Sequence, residues 1–520
     1  MLARQIQPIE AVDSALRNRR WIPYAIVAVA TAIVLGISPA WLISDESLKT
    51  LIALALLIGP LCVVLAVAKS HALPAKDIAF RLGLVIWWYL LISDALFDRI
   101  SDVQGTYAGA YSVEAYGQGI TWVAVLIALL LISFTAPGYL RELFSGPYKW
   151  ASLFALSCLA AAAYSPSPAY SLGWWFKLAV ILLTLRLCVS GMNTIDHIRN
   201  FLWASLLGLI CAVLLPLSRA FSDPLTLFEG VGGRLNADPV VISVTSSCIL
   251  IVALTLNALR RHLYLSLIVI GSVLVMFLSM GKTGIIAGVV SATVFFLFQR
   301  RIVSVLVLMV CVALVGAVVI ATVTPVGYYF LNYNGAGTLT GRTEIWKMAL
   351  PEILNKPIFG HGYLSTKFMW LNLTGPFAEV GHLHNGFLET LYNNGLVGLA
   401  LLLTMHLAIL GNLLFARRVM GAPAKGALGP SVMTVLVVGG FALYLDLLIN
   451  GMFTVAFGGR PTVHFMMFLG VLGWSTALRV LATRVQNRIL VTAPAAAPVS
   501  RPFSVPVAAR PGTMRNPSLG

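Results

Sequence analysis

The feature that most restricts this chain is a succession of apolar runs, each close to the length of one membrane-spanning helix. A helix needs about 20 consecutive apolar residues to cross a bilayer. Runs near that size are Trp21–Ile43, Leu51–Ala68, Ile78–Phe97, Ile120–Ala136, Trp150–Tyr164, Leu172–Val189 and Phe201–Leu217. The second half adds Val240–Leu259, Leu263–Met280, Gly284–Phe298, Ile302–Val323, Leu396–Phe415, Val432–Ile449 and Phe465–Val480. Bilayers admit only elements that satisfy their own backbone groups, so such a chain folds as helices. The expectation is an all-α, polytopic integral membrane bundle of about 12–14 transmembrane helices. The pair Trp150–Tyr164 and Leu172–Val189 is separated only by a Pro-rich turn, SPSPAYS.

Composition agrees. The chain is 59% hydrophobic and 10% charged, with mean hydropathy +0.90, against about 45–50% and 25% in soluble domains. Its net charge of +16 does not point to nucleic acid, because no basic cluster alternates with aromatics in a polar domain. The six cysteines fall inside or at the edge of apolar runs, without metal-ligand spacing, which suits packing. The first apolar run is long enough to remain as a membrane helix rather than leave as a signal peptide.

Lys and Arg between the runs set orientation. One side collects Arg17, Arg19, Arg20, Lys69, Lys76, Arg81, Arg141, Lys149, Arg199, Arg260, Arg261, Arg300, Arg301, Arg417, Arg418 and Lys425. The sparser side collects Lys49, Arg99, Arg219, Arg234, Lys282, Arg342, Lys347, Lys356, Lys367 and Arg460. The richer side is cytoplasmic, with both termini inside. Residues 1–20 form a cytoplasmic segment, 21–324 a bundle with short loops, and 325–384 a large outer loop. Residues 385–483 hold the last membrane helices, and 484–520 a Pro-, Ala- and Arg-rich tail without periodicity, expected to be disordered. No internal repeat is visible.

The outer loop breaks the oil. It carries TGRTEIW, PIFGHGY and HLHNGFLETLYNNGLVGLAL. Ile345, Trp346, Ala349, Ile353 and Leu354 recur at helical spacing after Arg342, and Asn355-Lys356-Pro357 ends that helix. Three outer basic residues sit beside glycines: Arg234 in GVGGRLNADP, Lys282 in SMGKTG and Arg342 in TGRTEIW. Glycine lets backbone approach a ligand closely, and such a cationic set suits a phosphate or diphosphate. Lys347, Lys356 and Lys367 are read instead as residues snorkelling to headgroups, and Lys177 as snorkelling inward. The GKTG stretch lacks the spacing of a nucleotide-binding loop.

His384 precedes Asn385 at a helix start, where free N–H groups favour an anion. A histidine there can act as general base on a hydroxyl. His361, His382, Asn385, Glu344 and Glu379 are further contributors, and His361, His382, His384 and Glu379 are also the set that a zinc site would use. Asp94 and Asp446 lie within apolar runs near their outer ends, within reach of water. No outer Asp-x-Asp pair is present to hold a divalent metal.

GRTEIW, then PIFGHGY, then HNGFLETLYNNGLVGLALLL, in that order ahead of the last spans, resembles the O-antigen ligase and polymerase superfamily, most of all its exopolysaccharide polymerases. The motifs cover about a quarter of the chain. The resemblance implies a lipid-sugar-dependent glycosyltransferase fold in the bacterial inner membrane, with the active site facing the periplasm and no metal or cofactor. It implies a donor glycan on undecaprenyl diphosphate, and as acceptor either a second lipid-linked glycan or lipid A-core. Polysaccharide export and chain-length proteins are the implied companions. His384 and Arg342 match the family's loop histidine and arginine, while Arg234 and Lys282 match its earlier outer basic residues. The hairpin usually reads Ser-x-Ser-basic, and here it is Ser279-Met280-Gly281-Lys282. A lipid-linked oligosaccharide flippase is the rival from another class, but it favours pseudo-symmetric halves and a charged midplane cavity.

Overall fold

The structure, a computed structural model, describes residues 46–70, 73–96, 113–135, 141–221, 239–279, 281–322, 342–369, 381–420 and 431–492. The first apolar run, Arg234, Glu379 and the C-terminal tail lie outside the described residues.

Every apolar run from Leu51–Ala68 onward coincides with a helix. In order these are α1 (Glu46–Ser70), α2 (Ala75–Leu96), α3 (Val113–Thr135), α4 (Tyr148–Ala162), α5 (Pro168–Gly191), α6 (Ile195–Phe221) and α7 (Pro239–Leu259). They continue as α8 (Leu263–Leu278), α9 (Lys282–Phe298), α10 (Ile302–Thr322), α11 (Arg342–Asn355), α12 (Thr366–Met369), α13 (Gly386–Met420), α14 (Val432–Phe453) and α15 (Val463–Thr492). No strand occurs among the described residues. Among the described residues, six helices are long and apolar enough to span a membrane: α5, α6, α7, α13, α14 and α15. The Pro-rich turn does separate two helices, and α4, with 15 residues, is about 22 Å long, shorter than a bilayer's apolar core.

Aromatic and small residues set the helix contacts. Trp87 is fully buried and donates from Nε1 to Ser205 Oγ at 3.0 Å, joining α2 to α6. Gly284 lets α9 lie on α7, since a Cβ there would press on the Ser243 carbonyl at 2.7 Å, and Ser243 Oγ donates to Gly281 O at 2.7 Å. Small residues allow this approach in lipid, where packing rather than water drives association. On the outside, α8 and α10 show apolar residues throughout, among them Leu263, Leu267, Ile270, Ile302, Val303 and Leu306. Such faces belong against acyl chains.

Two intramembrane groups differ from expectation. Asp446 does not reach water: it is fully buried, and Oδ2 accepts from Ser247 Oγ at 3.0 Å and Cys248 Sγ at 3.5 Å. Lys177 does not snorkel; it is buried, with its ammonium 5.1 Å from the Trp122 ring centre and 4.9 Å from that of Trp174. Aromatic faces can hold a cation that lacks water.

Candidate active site

The site assembles where α13 begins. Its first segment, Gly386–Asn394, is separated from the apolar remainder by Gly395, whose φ of +65° breaks the helix. The segment before α12 lies along this break. His361 N donates to Tyr392 O at 2.8 Å, Gly362 N to Asn393 O at 2.9 Å, and Leu396 N to Pro357 O at 2.8 Å. Here the chain needs glycine. A Cβ on Gly360, at φ +72°, would meet the Asn393 carbonyl at 2.6 Å, and one on Gly395 would collide with the Ile358 carbonyl. The PIFGHGY and NNGLVG motifs are thus two halves of one backbone junction.

The amphipathic helix α11 ends at Asn355 as its spacing predicts, and it folds back onto the bundle. Ile345, Ala349 and Ile353 pack with Leu383 and Tyr392. Leu354 departs from that face and is 75% exposed, because it sits one position beyond Ile353 on the rim of the stripe. Arg342 opens the helix. Glu344 turns outward to Lys347, with Oε1 to Nζ at 3.1 Å in an exposed pair.

Leu383 lies between the two histidines and is gripped on both sides. Its carbonyl accepts from Trp346 Nε1 at 2.8 Å, its N–H donates to Glu389 Oε2 at 2.8 Å, and its side chain is fully buried. Glu389 Oε1 also accepts from the Thr366 hydroxyl and from Asn393 Nδ2 at 3.4 Å. All three neighbours donate, the pattern an ionised carboxylate requires. Asn393 Oδ1 in turn accepts from Ser365 Oγ and Thr366 N, each at 3.1 Å. One buried carboxylate therefore ties the histidine turn to the α12 turn.

This grip holds His382 and His384 with ring centres 4.1 Å apart. His384 has φ +51°, a left-handed conformation unusual for a residue with a side chain. Burial, then the charge of Arg342, lowers the His384 pKa to about 4. His382 is pushed well below the usual histidine range, first by burial, then by His384, Arg460, Arg342 and Lys367. Both imidazoles are neutral at pH 7; Arg342 acts on both, and Arg460 and Lys367 act on His382.

The sequence candidates thus divide. Arg342, His382 and His384 come together. Asn385 is a cap: Oδ1 accepts from Phe387 N at 2.9 Å and Leu388 N at 3.0 Å, while Nδ2 donates to Met452 O at 3.0 Å. His361 is a brace, stacked on Tyr392 at 4.5 Å with Nε2 2.8 Å from Glu352 O. Lys282 opens α9, and the close approach that Gly284 permits is to Ser243. No group of three or more His, Cys, Asp or Glu suited to a metal ion occurs among the described residues.

Three residues carry more than their sequence reading. Lys367 lies over Tyr170 at 5.6 Å, where its charge acts on His382. Arg460 lies over Trp174 at 5.6 Å, and the preceding Gly459 carbonyl accepts from Tyr363 OH at 3.3 Å. Its signal was available, since GGRP repeats the glycine-flanked arginine pattern of GVGGRL. Glu389 had no such signal, because only the folded turn brings Leu383 to it.

Residues 267–403 match the family model described as O-antigen ligase. The match contains Arg342, His382, His384 and Glu389 but ends before Arg460. No curated protein matches the chain in sequence. The family match and the apolar helices together support a bacterial membrane protein with activity of the O-antigen ligase and polymerase type.

Proposed function

From a membrane protein of the O-antigen ligase and polymerase superfamily, we propose an inner-membrane glycosyltransferase working on the periplasmic face. It joins undecaprenyl-diphosphate-linked repeat units into exopolysaccharide or O-antigen. The observation that carries this reading is the pairing of a neutral histidine turn with Arg342, Lys367 and Arg460.

The acceptor hydroxyl gives its proton to His384 as its oxygen attacks the anomeric carbon of the donor. The bond from that carbon to the diphosphate oxygen breaks, and lipid diphosphate leaves with the electron pair. Its growing charge falls to Arg342, Lys367 and Arg460, and the sequence pattern adds Arg234 and Lys282 as diphosphate-binding residues. Fixed charges aimed at a developing anion are commonly the largest catalytic term. Glu389 is occupied by three donors, so it positions the turn and does not serve as nucleophile. A single displacement inverts the anomeric centre, and the charge work needs no metal.

The family description itself names a ligase, which favours a second reading: transfer of the finished glycan to lipid A-core. Deleting the gene and analysing undecaprenyl-linked glycans separates the two. A polymerase mutant accumulates single repeat units, and a ligase mutant accumulates long chains. Unchanged glycans would overturn both.

A further inference from the structure

At the other end of the bundle, the α7–α8 turn and the α9–α10 turn line an open cavity of about 340 Å³. Thr245 of α7 lies 3.1 Å from His464 Nε2, four residues past Arg460, and Ala258 lines this cavity, so the two levels are about 20 Å apart along the helix.

The lining has two kinds of surface. Arg261 and Arg301 come from different turns and converge on one space, with His262, Asn257 and Ser266 beside them. Asn257 organises the polar side: Oδ1 accepts from His262 N at 3.2 Å, and Nδ2 donates to Ser266 Oγ at 3.3 Å. Among the described residues, neither arginine has a carboxylate partner. Leu254, Phe295 and Phe296 form the apolar wall. The cavity also adjoins the starts of α8 and α10, whose N-terminal dipole ends favour an anion. Leu263 belongs to the cavity lining and is itself exposed, and the same helices carry further exposed apolar residues outside the lining, Leu267, Val303 and Leu306.

We propose that this cavity binds the phosphate headgroup of an anionic phospholipid, with its acyl chains lying along α8 and α10. Topology alone explains scattered basic residues at this end. It does not explain two arginines meeting in a polar-floored cavity that borders an exposed apolar face. Basic pockets between membrane helices are suited to such headgroups.

The test is native mass spectrometry of the purified full chain, titrated with phosphatidylglycerol or with phosphatidylcholine of identical acyl chains. The expected result is preferential retention of phosphatidylglycerol. Replacing both Arg261→Gln and Arg301→Gln should weaken it on the order of 30-fold. The double lysine variant should keep binding, and Arg418→Gln, exposed and outside the cavity, next to the Arg417 that lies over Phe298 at 4.6 Å, should change nothing. Equal retention of the two lipids, an unaffected double variant, or an equal loss in Arg418→Gln would overturn the proposal. So would inorganic phosphate displacing the lipid at matching affinity, which would mark a site for a soluble anion.

Discussion

Glu389→Gln keeps size and shape while removing charge and adding a donor. The amide must direct its NH2 either at the Leu383 N–H or at the Thr366 hydroxyl and Asn393 Nδ2. At least one charge-assisted bond is lost in either orientation, each worth about 1.5–3 kcal/mol. Trp346 still holds the Leu383 carbonyl, so the bundle should fold. The cost falls on the population of the turn that presents His384, and that energy corresponds to a drop of about 10- to 150-fold. The effect should appear in kcat. KM should not rise, because Arg342, Lys367 and Arg460 remain and Arg460 no longer faces a carboxylate. The assay is turnover of lipid-linked donor by purified protein, beside hydrogen exchange of residues 381–385, which should speed up. A well-folded Glu389→Gln protein within about threefold of wild type, with unchanged exchange, would refute the positioning role.

Other outcomes follow from the same geometry. His384→Ala should lose about 10²–10⁴-fold in turnover with donor binding nearly intact, whereas Arg342→Ala should weaken both and Arg342→Lys should be impaired by loss of the guanidinium fork; wild-type turnover in folded His384→Ala would sink the base assignment. With the His384 pKa at about 4, the acid limb of kcat/KM should fall near pH 4, and Arg342→Ala should move it upward; a wild-type limb near 6.5 would contradict the burial argument. The linked stability has the same sign: between about 4 and 6.5 the unfolded chain holds the proton that native His384 releases, so this contribution is lost as pH falls through that window. Excess chelator should leave transfer by the purified protein unchanged, and activity restored only by zinc or magnesium would favour histidine–metal chemistry. Reporter fusions should read periplasmic at Thr366 and cytoplasmic at Thr492; the reverse at either position would overturn the orientation.

The sequence by itself determined the helical class, the places of the apolar helices among the described residues and the face of α11. Apolar length and 3.6-residue spacing are local properties, readable from neighbours along the chain. It also marked Arg342, His382 and His384, because polar residues stand out against an apolar background. Tertiary structure alone decided how the remaining groups sort. His361 looked like His384 in the sequence, yet Glu352 and Tyr392 hold it as a brace. Lys367 looked like Lys347, yet Tyr170 holds it where it acts on His382 while Lys347 pairs with Glu344 in solvent. Arg460 joins the site from a turn 76 residues beyond His384, and Glu389 becomes its anchor only when the turn places the Leu383 N–H at 2.8 Å. A side chain's type is written in the chain, but its charge state and partners depend on the burial and distances that folding creates.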